Sequence, residues 1–351
     1  MKIPFLVNSN NKWLDISSNN KNMDYRYNMR KILGKESLNK FHFKRKILIF
    51  TRYDDPEVDY LGKKLLENSI DYLRINIEDL LDNVKIDLVP NSKKNSFISY
   101  YDETISLNKI DAIWFRHFSL ESLKFPKNYD DIAKEYVIEQ WDGVFESLNN
   151  WNIKVINKYK SWHYLPKPIQ LKIADEIGIK IPKTNITNAK FKTDKIQFMK
   201  AVMSHNIEVT PDRINRIYGK KANIKNINSG ELNITPTIFQ NALINNQEVR
   251  VTFFGSYFSS AVYQNVEVDD WHNQGIFGFN IMPYKIPDKV LDLLRKFKHK
   301  AQLNIGTIDL IHENNEWFFL EVNTSGDWRW LEVQSKQKIS QDCINFLKEE
   351  L

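Results

Sequence analysis

The first regular pattern in the chain is Ile47-Leu48-Ile49-Phe50, an unbroken apolar run of the kind found in a parallel strand buried on both faces. Asp55-Pro56 then signals a helix over residues 56–68, because a capping acid precedes a proline whose missing N–H costs nothing in a first turn. Asp71-Tyr72-Leu73-Arg74-Ile75-Asn76 and Asp111-Ala112-Ile113-Trp114-Phe115-Arg116 read as further strands. Between them, residues 84–109 alternate around Pro90-Asn91-Ser92 and predict a hairpin excursion. Val137, Trp141, Val144, Phe145 and Leu148 recur at helical spacing, so 131–148 is an amphipathic helix, and 153–157 is a closing strand. Strand–helix–strand order of this kind implies an α/β domain with a largely parallel sheet.

A second unit opens near residue 157. Ile169, Ile173, Ala174 and Ile177 mark a helix stopped by Gly178. Residues 190–239 show the weakest periodicity, with short strands between Asn-, Lys- and Gly-containing loops. Residues 248–254 and Tyr257–Gln264 pair across Gly255-Ser256, a two-residue hairpin signal. Residues 288–303 form a helix with Asp288 as N-cap and Val290, Leu294, Phe297 and Ala301 on one face. Residues 305–311 and 317–323 make a final hairpin about Asn314. The divisions expected are an extension at 1–43, rich in Asn, Lys and Ser, then domains at 44–156, 157–239 and 240–351.

Composition narrows the class. At 351 residues the chain exceeds one ordinary core, and its 42% apolar content is normal for a globular protein. No apolar run approaches the ~20 residues of a membrane-spanning helix, and the N-terminal apolar stretch is too brief for a signal peptide. The one cysteine, Cys343, rules out an internal disulfide and suits a reducing, cytoplasmic setting. The net charge of +6, from 50 basic and 44 acidic residues, is spread along the chain. A nucleic-acid binder concentrates its charge in a stripe, so that class is disfavoured, whereas ATP or an acidic peptide suits a mildly basic surface.

The candidate chemistry lies in the last hairpin. Glu321 and Asn323 are two apart on one strand and face one side. With the turn at Asn314, Asp309 lies opposite Phe319 and shares that side. Two carboxylates and an amide oxygen are hard ligands suited to magnesium, which bridges phosphates in phosphoryl transfer. Alone, the same residues also fit an ordinary hairpin with solvent-facing acids.

The surrounding residues extend the pattern. Residues 306–311, Gly-Thr-Ile-Asp-Leu-Ile, and 319–328, which contain Glu321-Val322-Asn323-Thr324-Ser325-Gly326, resemble the metal-binding end of ATP-grasp ligases. Ile238-Phe239-Gln240 and Glu248-Val249-Arg250-Val251 look like the hinge and first strand of that fold's C-terminal lobe. Pro283-Tyr284-Lys285-Ile286-Pro287 and the Trp328-x-Trp330-Leu331-Glu332 stretch narrow the resemblance to ATP-grasp peptide maturases of the microviridin and grasp-with-spasm type. Asp54-Asp55, Leu73-Arg74-Ile75-Asn76 and Trp114-Phe115-Arg116 look like that family's N-terminal domain. Lys167, Gln170-Leu171 and residues 178–184 resemble the helix that opens its central domain. Everything after residue 43 is covered.

This resemblance implies an α/β (α+β) ATP-grasp fold: a pre-ATP-grasp parallel α/β domain, a central subdomain and a C-terminal lobe. It implies ATP and magnesium as cofactors and a ribosomally made precursor peptide as partner, with a homo-oligomer compatible. The reaction implied is phosphorylation of a peptide carboxylate, then attack by a hydroxyl or amine to close a macrolactone or macrolactam. By matching position, Asp309, Glu321 and Asn323 would hold magnesium and Arg250 would be the catalytic cation beside the transferring phosphate. Gln240 and Leu243 would line the adenine slot, and Glu248 would orient Arg250 or meet the ribose. An ion pair with a neighbouring acid is the other reading of Arg250. Arg116 is read as a peptide contact or an interdomain salt bridge, and Trp328 and Trp330 as packing or substrate contacts.

The chain departs from the family at the nucleotide lysines. Ile207-Glu208-Val209-Thr210-Pro211 falls where a strand lysine followed by Pro or a small residue is expected, so Thr210 replaces that lysine, and Asn245 replaces a second. Each loss removes a charge-assisted contact of about 1.5–3 kcal/mol. Two readings follow: an active ligase with cations relocated to Arg213, Arg216, Lys220 or Lys221, or a degenerate member acting as a peptide-binding or partner subunit.

Overall fold

The structure is a computed structural model that describes residues 6–9, 12–15, 44–203, 206–210, 213–216, 219–227, 229–243, 247–264 and 280–349. Asn245 lies outside the described residues, as does most of 1–43, and so do the side chains of Thr210, Arg213 and Arg216. No helix among the described residues is long and apolar enough to cross a membrane. The chain divides into two compact units, Met1–Tyr159 with Leu347–Leu351, and Lys160–Phe346.

In the first unit the apolar run becomes the inner strand β1 (Arg45–Thr51). Helix α1 (Pro56–Glu67) follows, with Pro56 in its first turn and the Asp55 carboxylate accepting the Val58 N–H at 3.3 Å. Strand β2 (Ile70–Asn76) pairs parallel to β1. A three-stranded antiparallel excursion, β3 (Val84–Asp87), β4 (Phe97–Tyr100) and β5 (Glu103–Ser106), comes next. Strand β6 (Ala112–Phe115), helix α2 (Asp131–Leu148) and strand β7 (Lys154–Val155) complete a parallel sheet of order β2-β1-β6-β7. Ile47, Leu48, Ile49 and Phe50 are fully buried, which is why the run shows no alternation. Phe50 stacks on Phe115 at 5.0 Å and meets Phe145 of α2 edge-on at 5.1 Å, so aromatic contacts join sheet to helix.

Arg116, read as a peptide contact or an interdomain salt bridge, pairs with two acids of its own unit. Its guanidinium is fully buried inside this unit, 3.0 Å from Asp55 and 2.9 Å from Glu57. The same Asp55 that caps α1 therefore neutralises the cation at the end of β6. Burial works against the Asp55 charge, but Arg116, His117 and the Thr51 hydroxyl outweigh it and hold the carboxyl below its ordinary value.

The second unit starts with α3 (Lys167–Glu176), which ends at Gly178 with φ +87°. Strands β8 (Thr184–Thr187), β9 (Gln197–Ala201), β12 (Lys220–Ala222) and β13 (Thr237–Asn241) form a sheet of order β8-β13-β9-β12. Between β9 and β12 the strands β10 (Asn206–Thr210) and β11 (Arg213–Arg216) pair only with each other. A five-stranded antiparallel sheet follows: β14 (Gln247–Phe254), β15 (Tyr257–Gln264), β16 (Asn280–Pro283), β17 (Ile305–Glu313) and β18 (Glu316–Asn323), in the order β16-β15-β14-β17-β18. Helix α4 (Asp288–Lys300) packs on one face of it, burying Val290, Leu294 and Phe297 against Val249, Val251, Ile308, Leu310 and Phe319. Asp288 is the first helical residue rather than the cap. Pro287 holds the cap position, and Asp288 makes no capping bond, although an acid in a first turn still favours the helix dipole.

The last hairpin corrects the expected register. Its turn has two residues, Asn314 (φ +50°) and Asn315 (φ +62°), the left-handed pair that a tight hairpin requires. Leu310 therefore faces Phe319, and an unbroken β18 would set Asp309 against Leu320. Glu321 would then point into the core with Phe319. A bulge intervenes: the register shifts after Leu310, and Asp309 lies directly opposite Glu321, with Thr307 opposite Asn323. Asp309, Glu321 and Asn323 share a face, but by way of this extra residue, and Phe319 belongs to the core face.

Removing the Arg116 charge strands two buried carboxylates. Arg116→Leu is expected to cost about 3–5 kcal/mol in urea unfolding. Because the folded Asp55 carboxyl lies below its unfolded value, its contribution is full above the unfolded value and is lost as pH falls through the folded one. In Asp55→Asn the acid limb of the stability curve should flatten.

Candidate functional site

The face of the five-stranded sheet opposite α4 carries the polar residues. Along β14, Val249, Val251 and Phe253 enter the core, so Glu248, Arg250 and Thr252 take the other side. Arg250 stands opposite Asp309 in the ladder. One guanidinium nitrogen lies 3.0 Å and 3.1 Å from the two Asp309 oxygens. Trp330 lies over the guanidinium at 5.5 Å and stacks on Tyr263. Burial opposes the Arg250 charge, but Asp309 together with Tyr263, Asp327 and Glu321 outweighs it and holds the group above its ordinary value. The cross-strand ion pair is thus present, inside the candidate site. Trp328, by contrast, packs: it is fully buried, meets Phe254 edge-on at 4.9 Å and donates to the Ser340 hydroxyl at 3.1 Å.

Glu321 faces two lysines. Lys167, from the first turn of α3, is 3.0 Å from one carboxylate oxygen, and Lys200, from β9, is 3.8 Å from the same oxygen. Lys200 also donates to the Leu320 carbonyl at 3.4 Å, within the bulge. Its side chain is only 8% exposed. Burial, aided by the Lys167 charge, lowers its pKa, and Glu321, Asp309 and Glu248 oppose that shift.

Neither lysine was among the expected site residues. The strand of the four-stranded sheet is β9, not Asn206–Thr210, which forms its own two-stranded sheet. In β9, Lys200-Ala201 is a strand lysine followed by a small residue, ten positions before Thr210. That signal was present in the sequence.

Lys200 lies opposite Ile238, and Phe198 opposite Gln240, so Lys200 and Gln240 share one face of the four-stranded sheet. Gln240 is buried and donates from Nε2 to the Thr184 hydroxyl at 3.1 Å. Lys221, opposite Phe198, is on that face too, exposed on the edge strand. Lys220 takes the other face. Leu243 and Glu248 are half-buried, and the Arg213 side chain is outside the described residues. Asn323 Oδ1 accepts the Ser325 N–H at 3.1 Å, which fixes the amide plane and leaves a second lone pair.

Among the described residues no three His, Cys, Asp or Glu side chains meet as a metal site. The hard-oxygen set is therefore two carboxylates and the Asn323 amide. That set fits magnesium, which keeps several places for water and phosphate oxygens. Three cations, Lys167, Lys200 and Arg250, stand around it.

Residues 46–163 match the family described as the MvdD pre-ATP grasp domain. A Chryseobacterium gregarium RiPP-associated ATP-grasp ligase, solved with ADP and a leader and core peptide, superposes with a TM-score of 0.76. It is 21% identical over 88% of this chain and 97% of its own. The macrocyclase MdnC of Microcystis aeruginosa MRC, solved with the precursor peptide MdnA, has a TM-score of 0.73. It is 22% identical over 87% of this chain and all of its own. The chain has the ATP-grasp fold. The ATP-grasp ligase PsnB, solved with a minimal precursor, Mg and ADP, matches this ATP-grasp chain at a TM-score of 0.67 and 16% identity, over 86% of this chain and 98% of its own. No curated protein matches the sequence. The ATP-grasp peptide maturases that the sequence resembles are thus also similar to it in structure.

Asp309→Asn in this ATP-grasp chain leaves a buried guanidinium with a neutral partner and is expected to cost about 3 kcal/mol or more. The double change Asp309→Leu with Arg250→Met should recover much of that loss. Urea unfolding of the three proteins checks both statements.

Proposed function

We propose that this protein is an ATP-dependent ligase acting on a ribosomally made precursor peptide. The observation that carries the reading is the charge arrangement on the shared face: Lys167 and Lys200 on Glu321, beside Arg250 on Asp309. Cations set around paired carboxylates suit a nucleotide triphosphate and the metal that accompanies it. The relatives solved with ADP, Mg and precursor peptides support the same substrates here.

In this reading Lys200 holds the nucleotide phosphates from the four-stranded sheet, and Gln240 lines the adenine slot on the same face. Lys167 adds a second cation from α3. Arg250, pinned by Asp309 and covered by Trp330, is preorganised to stabilise charge that develops on the transferring phosphoryl group. Asp309, Glu321 and Asn323 would hold magnesium, which supplies charge neutralisation between the phosphates. The peptide carboxylate would be activated as an acyl phosphate, and a hydroxyl or amine of the same peptide would displace the phosphate. The degenerate alternative drew its support from Thr210 and Asn245; a buried Lys200 on the face that carries Gln240 supports the active reading instead.

Lys200→Met is expected to weaken nucleotide binding about tenfold to a hundredfold in titration calorimetry with magnesium. Glu321→Ala should abolish phosphate release in the presence of a precursor peptide encoded nearby. Peptide binding without nucleotide binding in the wild type would favour the partner-subunit reading instead.

A further inference from the structure

The bulge that turns Glu321 toward Asp309 lies on β18, the edge strand of its sheet. In a regular strand the N–H groups on one edge recur every second residue. On the outer edge of β18, Phe319 and Val322, three apart, both find partners. Phe319 N donates to the Lys180 carbonyl at 2.8 Å. Val322 N donates to the Gln170 side-chain oxygen at 2.8 Å. The partners thus bracket the inserted residue.

Gln170 is itself held. It is 5% exposed, and its Nε2 donates to the Leu165 carbonyl at 2.9 Å. Both ends of its amide are occupied, which also fixes the oxygen–nitrogen assignment. On α3 it sits one turn after Lys167, so one helix contacts the Glu321 carboxylate through Lys167 and the next backbone amide through Gln170.

We propose that Gln170 is a positioning residue for the metal-bearing carboxylate: it takes the place of a neighbouring strand at Val322 and keeps the bulge in the register that aims Glu321 at the site. The inference rests on the reading of Asp309 and Glu321 as metal ligands. It needs no contact between Gln170 and substrate. A glutamine at this place is demanded by geometry, since the acceptor must reach the strand while the donor reaches back to Leu165.

The test compares magnesium dependence of ADP binding in wild type, Gln170→Met and Gln170→Glu by titration calorimetry, with ADP binding in EDTA as the second readout. Gln170→Met fills a similar volume without a strong acceptor. It is expected to raise the half-saturating magnesium concentration about tenfold and leave metal-free ADP affinity unchanged. Gln170→Glu keeps an acceptor for the Val322 N–H but loses the donor to the Leu165 carbonyl, so it should recover only part of the difference. Hydrogen exchange should show Val322 deprotected in Gln170→Met while α4 stays protected. Unchanged magnesium dependence in Gln170→Met, or equal losses with and without metal, overturns the inference alone. A wild type whose ADP binding ignores magnesium overturns the metal-site reading and this inference with it.

Discussion

The second unit is organised by the need to neutralise buried charge. Lys200 and Arg250 are almost entirely out of water, and burying one such group costs several kcal/mol unless an acid faces it. A single opposite charge near 4 Å returns about 4 kcal/mol at the effective dielectric of such a site. Each buried cation is therefore tied to an acid: Arg250 to Asp309, and Lys200 to Glu321, which it shares with Lys167. The two acids face each other across neighbouring strands. The four-stranded sheet, α3 and the five-stranded sheet meet at this one network, and α3 also packs on the five-stranded sheet through Leu171, Ile173 and Ala174.

The same constraint explains the irregular backbone beneath it. A two-residue turn and an unbroken β18 would drive the Glu321 carboxylate into the apolar layer with Phe319 and Leu310. One inserted residue turns it out while leaving Phe319 and Val322 in the core. The departure from regular pairing is small in length and large in consequence, because side-chain direction in a strand has a period of two. The outer edge of β18 is also covered at the bulge by Lys180 and Gln170, so the strand is not left open to pair with another chain there.

In the first unit Arg116 and Asp55 apply the same rule to a structural end. The sheet finishes at a buried ion pair, and the acid that balances it also caps α1. This pair explains why Asp55 and Arg116 stand so near the ends of their strands without requiring that either touch a ligand.

Local pattern was enough for much of the architecture. The unbroken run at Ile47-Leu48-Ile49-Phe50, the helix at Asp131–Leu148, the stop at Gly178 and the hairpin at Gly255 each depend on residues near one another in the chain, so spacing and turn chemistry sufficed. The donor chemistry of Asp309, Glu321 and Asn323 was legible for the same reason. Register was not: a five-residue loop centred on Asn314 and a two-residue Asn314-Asn315 turn both fit the sequence, and the bulge is stabilised by partners from far earlier in the chain. Sheet membership was not legible either: Gln197–Ala201 and Asn206–Thr210 are both short strands, and only pairing with β13 decides which one belongs to the larger sheet. The sequence by itself determined which elements form and what chemistry the last hairpin carries. Tertiary structure alone decided which cations meet those acids, because burial and long-range strand pairing, not spacing along the chain, set where a lysine's charge must go.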